Sequence, residues 1–262
     1  MSIIYMTHRG TVRPENQDAL CAAGTVRFGD MMRAPETLTL AKEYPLLLAV
    51  VDGMGGYSGG ALAARILADA LADGAKDGRF GSRCEYETDR QTILSLLRNA
   101  AALMRSEAQD NPELSNMGAT VSGVLLREKE ALAFNCGDCR AYRLSGEALE
   151  RLTCDHSIVQ ELFEKGIIDE DEMRTHPRKN IVTSSVSARP ENLELYTKNI
   201  SRGDGDAFFL CSDGVWEALK SKELKLRLNS FSDAPTEGAQ ELFEALIAVG
   251  CKDNVSFIWF AE

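Results

Sequence analysis

Histidine is scarce in this chain of 262 residues: only His8, His156 and His176 occur, and no two of them are close in sequence. A zinc or copper centre built on imidazole therefore has little to work with. Long apolar runs are missing too, so no segment reads as a membrane span. Residues 1–8 lack the basic start and apolar core of a signal peptide, and the expected compartment is the cytoplasm. The formal net charge of -11 argues against a nucleic-acid binder, which would need Lys and Arg to displace counterions from phosphates. No internal repeat, low-complexity tract or Pro/Gly/Ser linker divides the chain, so one domain over 1–262 is expected.

Seven cysteines, an odd number, stand at Cys21, Cys84, Cys136, Cys139, Cys154, Cys211 and Cys251, several of them in apolar stretches. Reduced, mostly buried thiols follow from that placement. Cys136 and Cys139 make a C-x-x-C spacing, yet no second pair completes a zinc site and no helix opens there for redox chemistry. The acidic excess has two readings: solvated faces, or carboxylates collected in a cleft for a divalent cation.

Short apolar runs bounded by turn signals recur at 46–51, 121–126, 131–136, 207–211 and 255–260, and read as strands. Tight connections at 127–130 and 145–147 predict antiparallel neighbours. Helical spacing appears at Leu62, Ile66 and Ala70, at Ile93, Leu96, Leu97, Ala100, Leu103 and Met104, and at Leu242, Leu246 and Val249, with Thr236 suited to cap the last helix. Helices separated by blocks of antiparallel strands predict an α+β architecture.

Four carboxylates stand at strand edges beside glycine or a polar turn: Asp52, Asp138, Asp213 and Asp253. A single Asp-Gly is ordinarily a turn. Four such carboxylates at the ends of buried strands are costly unless something positive compensates them, and a hard cation such as magnesium or manganese suits all-oxygen ligation.

Read in order, Arg13-Pro14-Glu15-Asn16-Gln17-Asp18, Val51-Asp52-Gly53-Met54-Gly55-Gly56, Met117-Gly118-Ala119-Thr120, Gly137-Asp138-Cys139-Arg140-Ala141-Tyr142, Asp155-His156-Ser157, Ser212-Asp213-Gly214-Val215-Trp216-Glu217 and Asp253-Asn254 resemble the ordered motifs of the type-2C, metal-dependent protein phosphatases, in a bacterial form. The resemblance covers nearly the whole chain and is thinnest at 24–44 and 73–89. It implies a central β-sandwich of two antiparallel sheets with helices on both outer faces. It also implies hydrolysis of phosphoserine and phosphothreonine in proteins by a metal-bridged water or hydroxide, without a phosphoenzyme. Two tightly held Mn2+ or Mg2+ ions and a weaker third are implied. Phosphoprotein substrates would be the partners, together with a serine/threonine kinase that shares those targets.

By the same resemblance Asp52 bridges two metals, the Gly53 carbonyl joins one of them, and Asp213 and Asp253 complete the other. Asp18 lies near the metals, Asp138 with Asp213 and Glu217 makes the third site, and Arg13 grips phosphate. Each role has a physical counterpart: glycine lets a backbone oxygen approach a cation, and a guanidinium fork matches two phosphate oxygens. Two positions depart from the pattern. Gln17 stands where some relatives carry Glu, and Met54 where animal-type members carry a candidate acid histidine. His176, in a segment at 164–182 resembling the family's flap, is left to contact substrate or donate a proton.

Other readings compete. Gly56-Tyr57-Ser58-Gly59-Gly60 spells the nucleophile elbow of serine hydrolases, although Ser58 lies several residues beyond the strand end at Val51. A non-catalytic binding module on the same fold is a further alternative, disfavoured by the presence of every expected carboxylate. Arg202-Gly203-Asp204 reads as a hairpin turn rather than an adhesion triplet.

Overall fold

The computed structural model describes every residue except 30, 57–58, 82–84, 190–192 and 232–233. Cys84 and Ser58, with its elbow motif, lie outside the described residues.

Two antiparallel sheets are stacked face to face. The first contains β1 (Ser2–His8), β4 (Glu36–Thr39), β8 (Arg140–Ser145), β9 (Ala148–Arg151), β12 (Ala207–Cys211) and β13 (Val255–Ala261), in the order β4-β1-β13-β12-β8-β9. The second runs β11-β7-β6-β5-β2-β3, from β11 (Tyr196–Ser201), β7 (Glu130–Cys136), β6 (Gly118–Leu126), β5 (Leu46–Met54), β2 (Asp18–Ala22) and β3 (Thr25–Phe28). The two-residue β10 (Val186–Ser187) pairs with β6. All five apolar runs are strands, and the turns at 127–130 and 145–147 join antiparallel pairs as their chemistry requires.

Helices cover both outer faces, giving the expected α-β-β-α layers. On the second sheet lie α1 (Gly59–Lys76) and α2 (Tyr86–Asp110); α5 (Asp213–Ala218), α6 (Ser221–Ser230) and α7 (Pro235–Ala248) belong to the first. Between β9 and β10 come α3 (Ile158–Glu164) and α4 (Glu170–Met173). The strands of the second sheet alternate as a sheet buried on both faces must. Leu48 and Val50 of β5 face the sandwich interior, while Leu47, Ala49 and Val51 face α1 and α2.

Three local expectations shift. The buried face of α1 is Ala63, Ala64, Leu67, Ala68 and Leu71, one residue on from the expected row, because alanines let the helix sit closer to the sheet. Leu103 is 57% exposed, at the rim of the arc that buries Ile93, Leu97, Ala100 and Met104. Thr236 is inside α7 rather than its cap, since Pro235 takes the first helical position, where its missing N–H costs nothing. Residues 202–206 turn as expected but close no hairpin, because they lead β11 of the second sheet into β12 of the first. Arg202 cannot be presented to a partner: its side chain is 4% exposed, donates to Tyr44 Oη at 3.0 Å and lies against the rings of Tyr44, Phe208 and Phe260.

Candidate active site

Continuing the inward row of β5 past Leu48 and Val50 brings Asp52 to the open end of the sandwich. Its register partner on β2 is Asp18, and on β6 it is Thr120. From the other sheet, β12 ends at Cys211 and delivers Ser212 and Asp213 to the same end, while Asp253 and Asn254 immediately precede β13. The connection from β7 to β8 contributes Asp138. These termini open into one cleft of about 420 Å³, lined by Arg13, Gln17, Asp52, Gly53, Met54, Thr120, Asp138, Asn180, Val182, Asp213, Asp253 and Asn254 among others.

Two glycines permit this convergence. A Cβ on Gly53 would stand 2.1 Å from the Gly60 carbonyl oxygen, so only glycine lets the start of α1 sit against the end of β5. At Gly214 a Cβ would meet the Asn254 carbonyl oxygen at 2.0 Å, and its absence brings α5, which carries Asp213, against the segment that carries Asp253.

The site is electrostatically unbalanced. Asp18 and Asp52 face each other directly across a strand pair, an arrangement that like charges oppose. Burial pushes Asp52 well above the usual carboxylate range, and the neighbouring charges of Asp213, Asp18, Asp253 and Asp138 push it further. Asp213 is raised well above that range in the same way, first by burial and then by Asp138 and Asp253. Burial takes Asp18 up to about 7 against the pull of the Ser256 and Ser212 hydroxyls. Asp138 is pushed up to about 7 by burial and by Asp155 and Glu217. Asp18 Oδ1 and Asp213 Oδ1 are buried and bonded to nothing.

Unpartnered carboxylate oxygens, held together by the fold at this cost, fit oxygen-ligated divalent cations. Among the described residues no three His, Cys, Asp or Glu side chains form a ready-made cage. The donor set therefore fits cations that take one or two carboxylates each, keep most of their waters and add a backbone oxygen such as that of Gly53.

Arg13 is the cleft's cationic side chain, and it spends its fork on Asp253, Nε to Oδ1 at 2.9 Å and Nη2 to Oδ2 at 2.6 Å. Asn254 fixes the loop that carries it. Its Oδ1 accepts from the Gln17 N–H at 2.8 Å, and its Nδ2 donates to the carbonyls of Glu15 at 2.8 Å and Arg9 at 3.1 Å. Gln17 reaches the Gly56 carbonyl at 3.3 Å. Under Asp138, the Trp216 indole N–H donates to its carbonyl at 3.0 Å, and Arg140 stacks 3.7 Å from the Trp216 ring while gripping buried Asp155 with its fork.

Thus Arg13, Asp52, Gly53, Asp138, Asp213 and Asp253 line one cleft, and Asp18 is wholly buried beside Asp52. His176 is not among the described residues of the cleft wall; its Nδ1 accepts from the Arg178 N–H at 3.1 Å, and the 164–182 segment reaches the cleft instead through Asn180 and Val182. Glu217 is half-buried and paired with Lys179 of the 164–182 segment, whose Arg174 also donates to the Glu217 carbonyl at 3.1 Å. Sequence reasoning assigned no role to Asn254, Ser212 or Trp216, although all three stand inside the quoted motifs. Their partners are remote in sequence, and no local signal names them.

The profile of the protein phosphatase 2C family matches residues 37–247. The serine/threonine phosphatase stp of Listeria monocytogenes is 29% identical over 256 residues, covering 97% of this chain and 93% of that protein. Among solved structures, the serine/threonine phosphatase Stp1 of Staphylococcus aureus superposes with a TM-score of 0.81 at 26% identity, over 99% of this chain and 94% of that one. The catalytic domain of the serine/threonine phosphatase PstP, solved in complex with 2 manganese ions, shares the fold with a TM-score of 0.76 at 23% identity, over 99% and 98% of the two chains. The chain belongs to the protein phosphatase 2C family, and with it to the protein-serine/threonine phosphatases.

Proposed function

We propose that this cleft hydrolyses phosphoserine and phosphothreonine esters in proteins, without a phosphoenzyme, using divalent cations held by Asp52, the Gly53 carbonyl, Asp213 and Asp253. The observation that carries the reading is the meeting of buried Asp18 and Asp138 with half-buried Asp52 and Asp213, two of the four with unpartnered oxygens, beside an arginine fork. Mn2+ or Mg2+ suits these oxygens, two ions held firmly near Asp52 and a third more loosely at Asp138. Such cations, when bound, polarise phosphate oxygens and make water a competent nucleophile at neutral pH.

The chain's own groups do the rest. Arg13 exchanges the Asp253 carboxylate for two phosphate oxygens, a swap between equivalent planar acceptors. Asn254 holds the Arg13 loop at the height of the carboxylates during that exchange. The described lining residues include no Ser, Cys or His, the Thr120 hydroxyl is bonded to the Cys139 thiol at 3.2 Å, and the aspartates are the groups that would be taken up by the cations rather than by attack on phosphorus. Met54 supplies no acid, so protonation of the leaving oxygen falls to solvent in the cleft, oriented by Asp138. Residues 1–262 act as one catalytic domain, with 164–182 as a flap that meets the substrate protein. A serine/threonine kinase acting on the same proteins is the opposing partner.

Hydrolysis of a phosphothreonine peptide with added manganese, with and without chelator, tests the reading. Release of phosphate that depends on manganese is expected. Full turnover after exhaustive chelation would overturn the mechanism, and none in either condition would favour a binding module.

A further inference from the structure

A ring of buried hydrogen bonds stands behind Asp18. The Asn16 side-chain amide donates to Thr7 Oγ1 at 2.7 Å, and Thr7 Oγ1 meets Ser256 Oγ at 2.8 Å. Ser212 Oγ donates to Asp18 Oδ2 at 2.9 Å, and the Asp18 N–H returns to Asn16 Oδ1 at 3.2 Å. The Ser256 N–H also donates to Ser212 Oγ at 3.1 Å. Thr7, Asp18, Ser212 and Ser256 are wholly inaccessible and Asn16 is 6% exposed.

Asn16 donates to Thr7, either hydroxyl of the Thr7–Ser256 pair can supply its hydrogen, and the ring reaches the carboxylate through the Ser256 N–H and the Ser212 hydroxyl. Oδ2 of Asp18 is thereby engaged by Ser212, and Oδ1 is left buried and unpartnered beside Asp52. Ser212 repeats the preference in another way. It occupies the capping position of α5, yet its hydroxyl makes no capping bond and serves Asp18 instead. The ring also crosses the sandwich. Asp18 belongs to the sheet that carries Asp52, whereas Thr7 and Ser256 belong to the sheet whose strand ends deliver Asp213 and Asp253.

We propose that Thr7, Ser256 and Ser212 are positioning residues for cation binding: their hydroxyls lock the Asp18 carboxylate in one orientation and tie the two halves of the acid cluster, one on each sheet, at a fixed separation. Neutral hydroxyls suit the task because they orient an oxygen without adding a positive charge that would repel the cation. The inference rests on the reading that the acid cluster holds divalent cations.

Thr7 gives the sharpest test, since it touches neither Asp18 nor the cleft. Mn2+ binding is measured by calorimetry on the wild-type chain, Thr7→Val, Thr7→Ser and Ser212→Ala, with denaturation midpoints alongside. Loss of a group that orients a metal-site carboxylate typically weakens binding by about tenfold or more, and that loss is expected for Thr7→Val and Ser212→Ala. Thr7→Ser, which keeps the hydroxyl and gives up a buried methyl, should bind Mn2+ as the wild type does. A purely structural ring would instead lower the midpoints of all three variants and leave Mn2+ affinity unmoved, which overturns the proposal. Should Thr7→Val fail to fold, Ser212→Ala decides alone: wild-type affinity there has the same consequence. A wild-type chain that binds no Mn2+ overturns the cation reading itself, a result distinct from equal binding by wild type and variants.

Discussion

Arg13 holds Asp253 with both arms of its guanidinium, although the two residues are 240 apart in the chain. The group suited to grip phosphate is thus paired with one suited to hold a cation, and the cleft partly neutralises itself. With the two side chains 52% and 28% exposed, the pair is a weak one, worth about 0–1 kcal/mol. It can open for substrate. Arg13→Ala should raise KM on a phosphopeptide by roughly tenfold to a hundredfold, from the loss of charge-assisted bonds of about 1.5–3 kcal/mol, and leave Mn2+ binding intact. Arg13→Lys should recover only part of the loss, because a point charge cannot fork. Unchanged kinetics for Arg13→Ala would make it a surface residue.

Asp52→Asn and Asp213→Asn should each abolish turnover while raising the thermal midpoint in chelator, since each removes a half-buried charge that its neighbours repel. Melting curves and a phosphate-release assay on the same preparations check both halves. Activity retained in either variant would remove that residue from the site.

Without metal, stability should fall as pH rises. Asp18 and Asp138 titrate at about 7 in the folded chain against an ordinary 3.8, so between those values the folded state keeps protons that the unfolded chain has released. Their contribution is present at low pH and is lost as pH passes 7, so denaturant midpoints in chelator should drop from about pH 5.5 to about pH 8. Saturating Mn2+ should restore most at the higher pH. A flat profile in chelator would show that these carboxylates are not strained.

Asp138→Ala should fold, keep the firmly held cations and lose most turnover on phosphopeptides, with a smaller loss on an aryl phosphate whose leaving group needs little protonation. Steady-state rates on the two substrates make the comparison. Equal loss on both would detach Asp138 from proton delivery.

Arg140→Ala should destabilise the fold by about 3 kcal/mol, because it strands the buried Asp155 carboxylate, which then keeps only Arg151 at 3.7 Å. Urea denaturation reads the change. A cost near that of an exposed ion pair would mean that water reaches Asp155.

Much of the site was legible in the sequence because its signals are local. A carboxylate beside glycine after an apolar run marks a strand end whether or not the rest of the fold is known, and Asp52, Asp138 and Asp213 were read that way. The central strands β5, β6, β7, β12 and β13 announced themselves by apolar runs bounded by turns. Edge strands such as β3 and β4 carry exposed residues and no such run, so 24–44 stayed silent. Thr236 was misplaced because a cap and a second helical residue look alike until Pro235 is given priority.

Sequence by itself determined the central strands, the α+β class and the acidic residues at the strand ends, since periodicity and turn chemistry are properties of neighbouring residues; the family and its layers followed from the resemblance of the ordered motifs. Only the tertiary structure decided that Asp18 lies opposite Asp52, that Ser212 serves Asp18 rather than its own helix, and that His176 stays off the cleft wall. Those relations join segments up to 249 residues apart, as with Thr7 and Ser256. They arise when two sheets, each specified by its own alternation, are pressed together at one angle and one register, and no local pattern encodes which polar residues then meet.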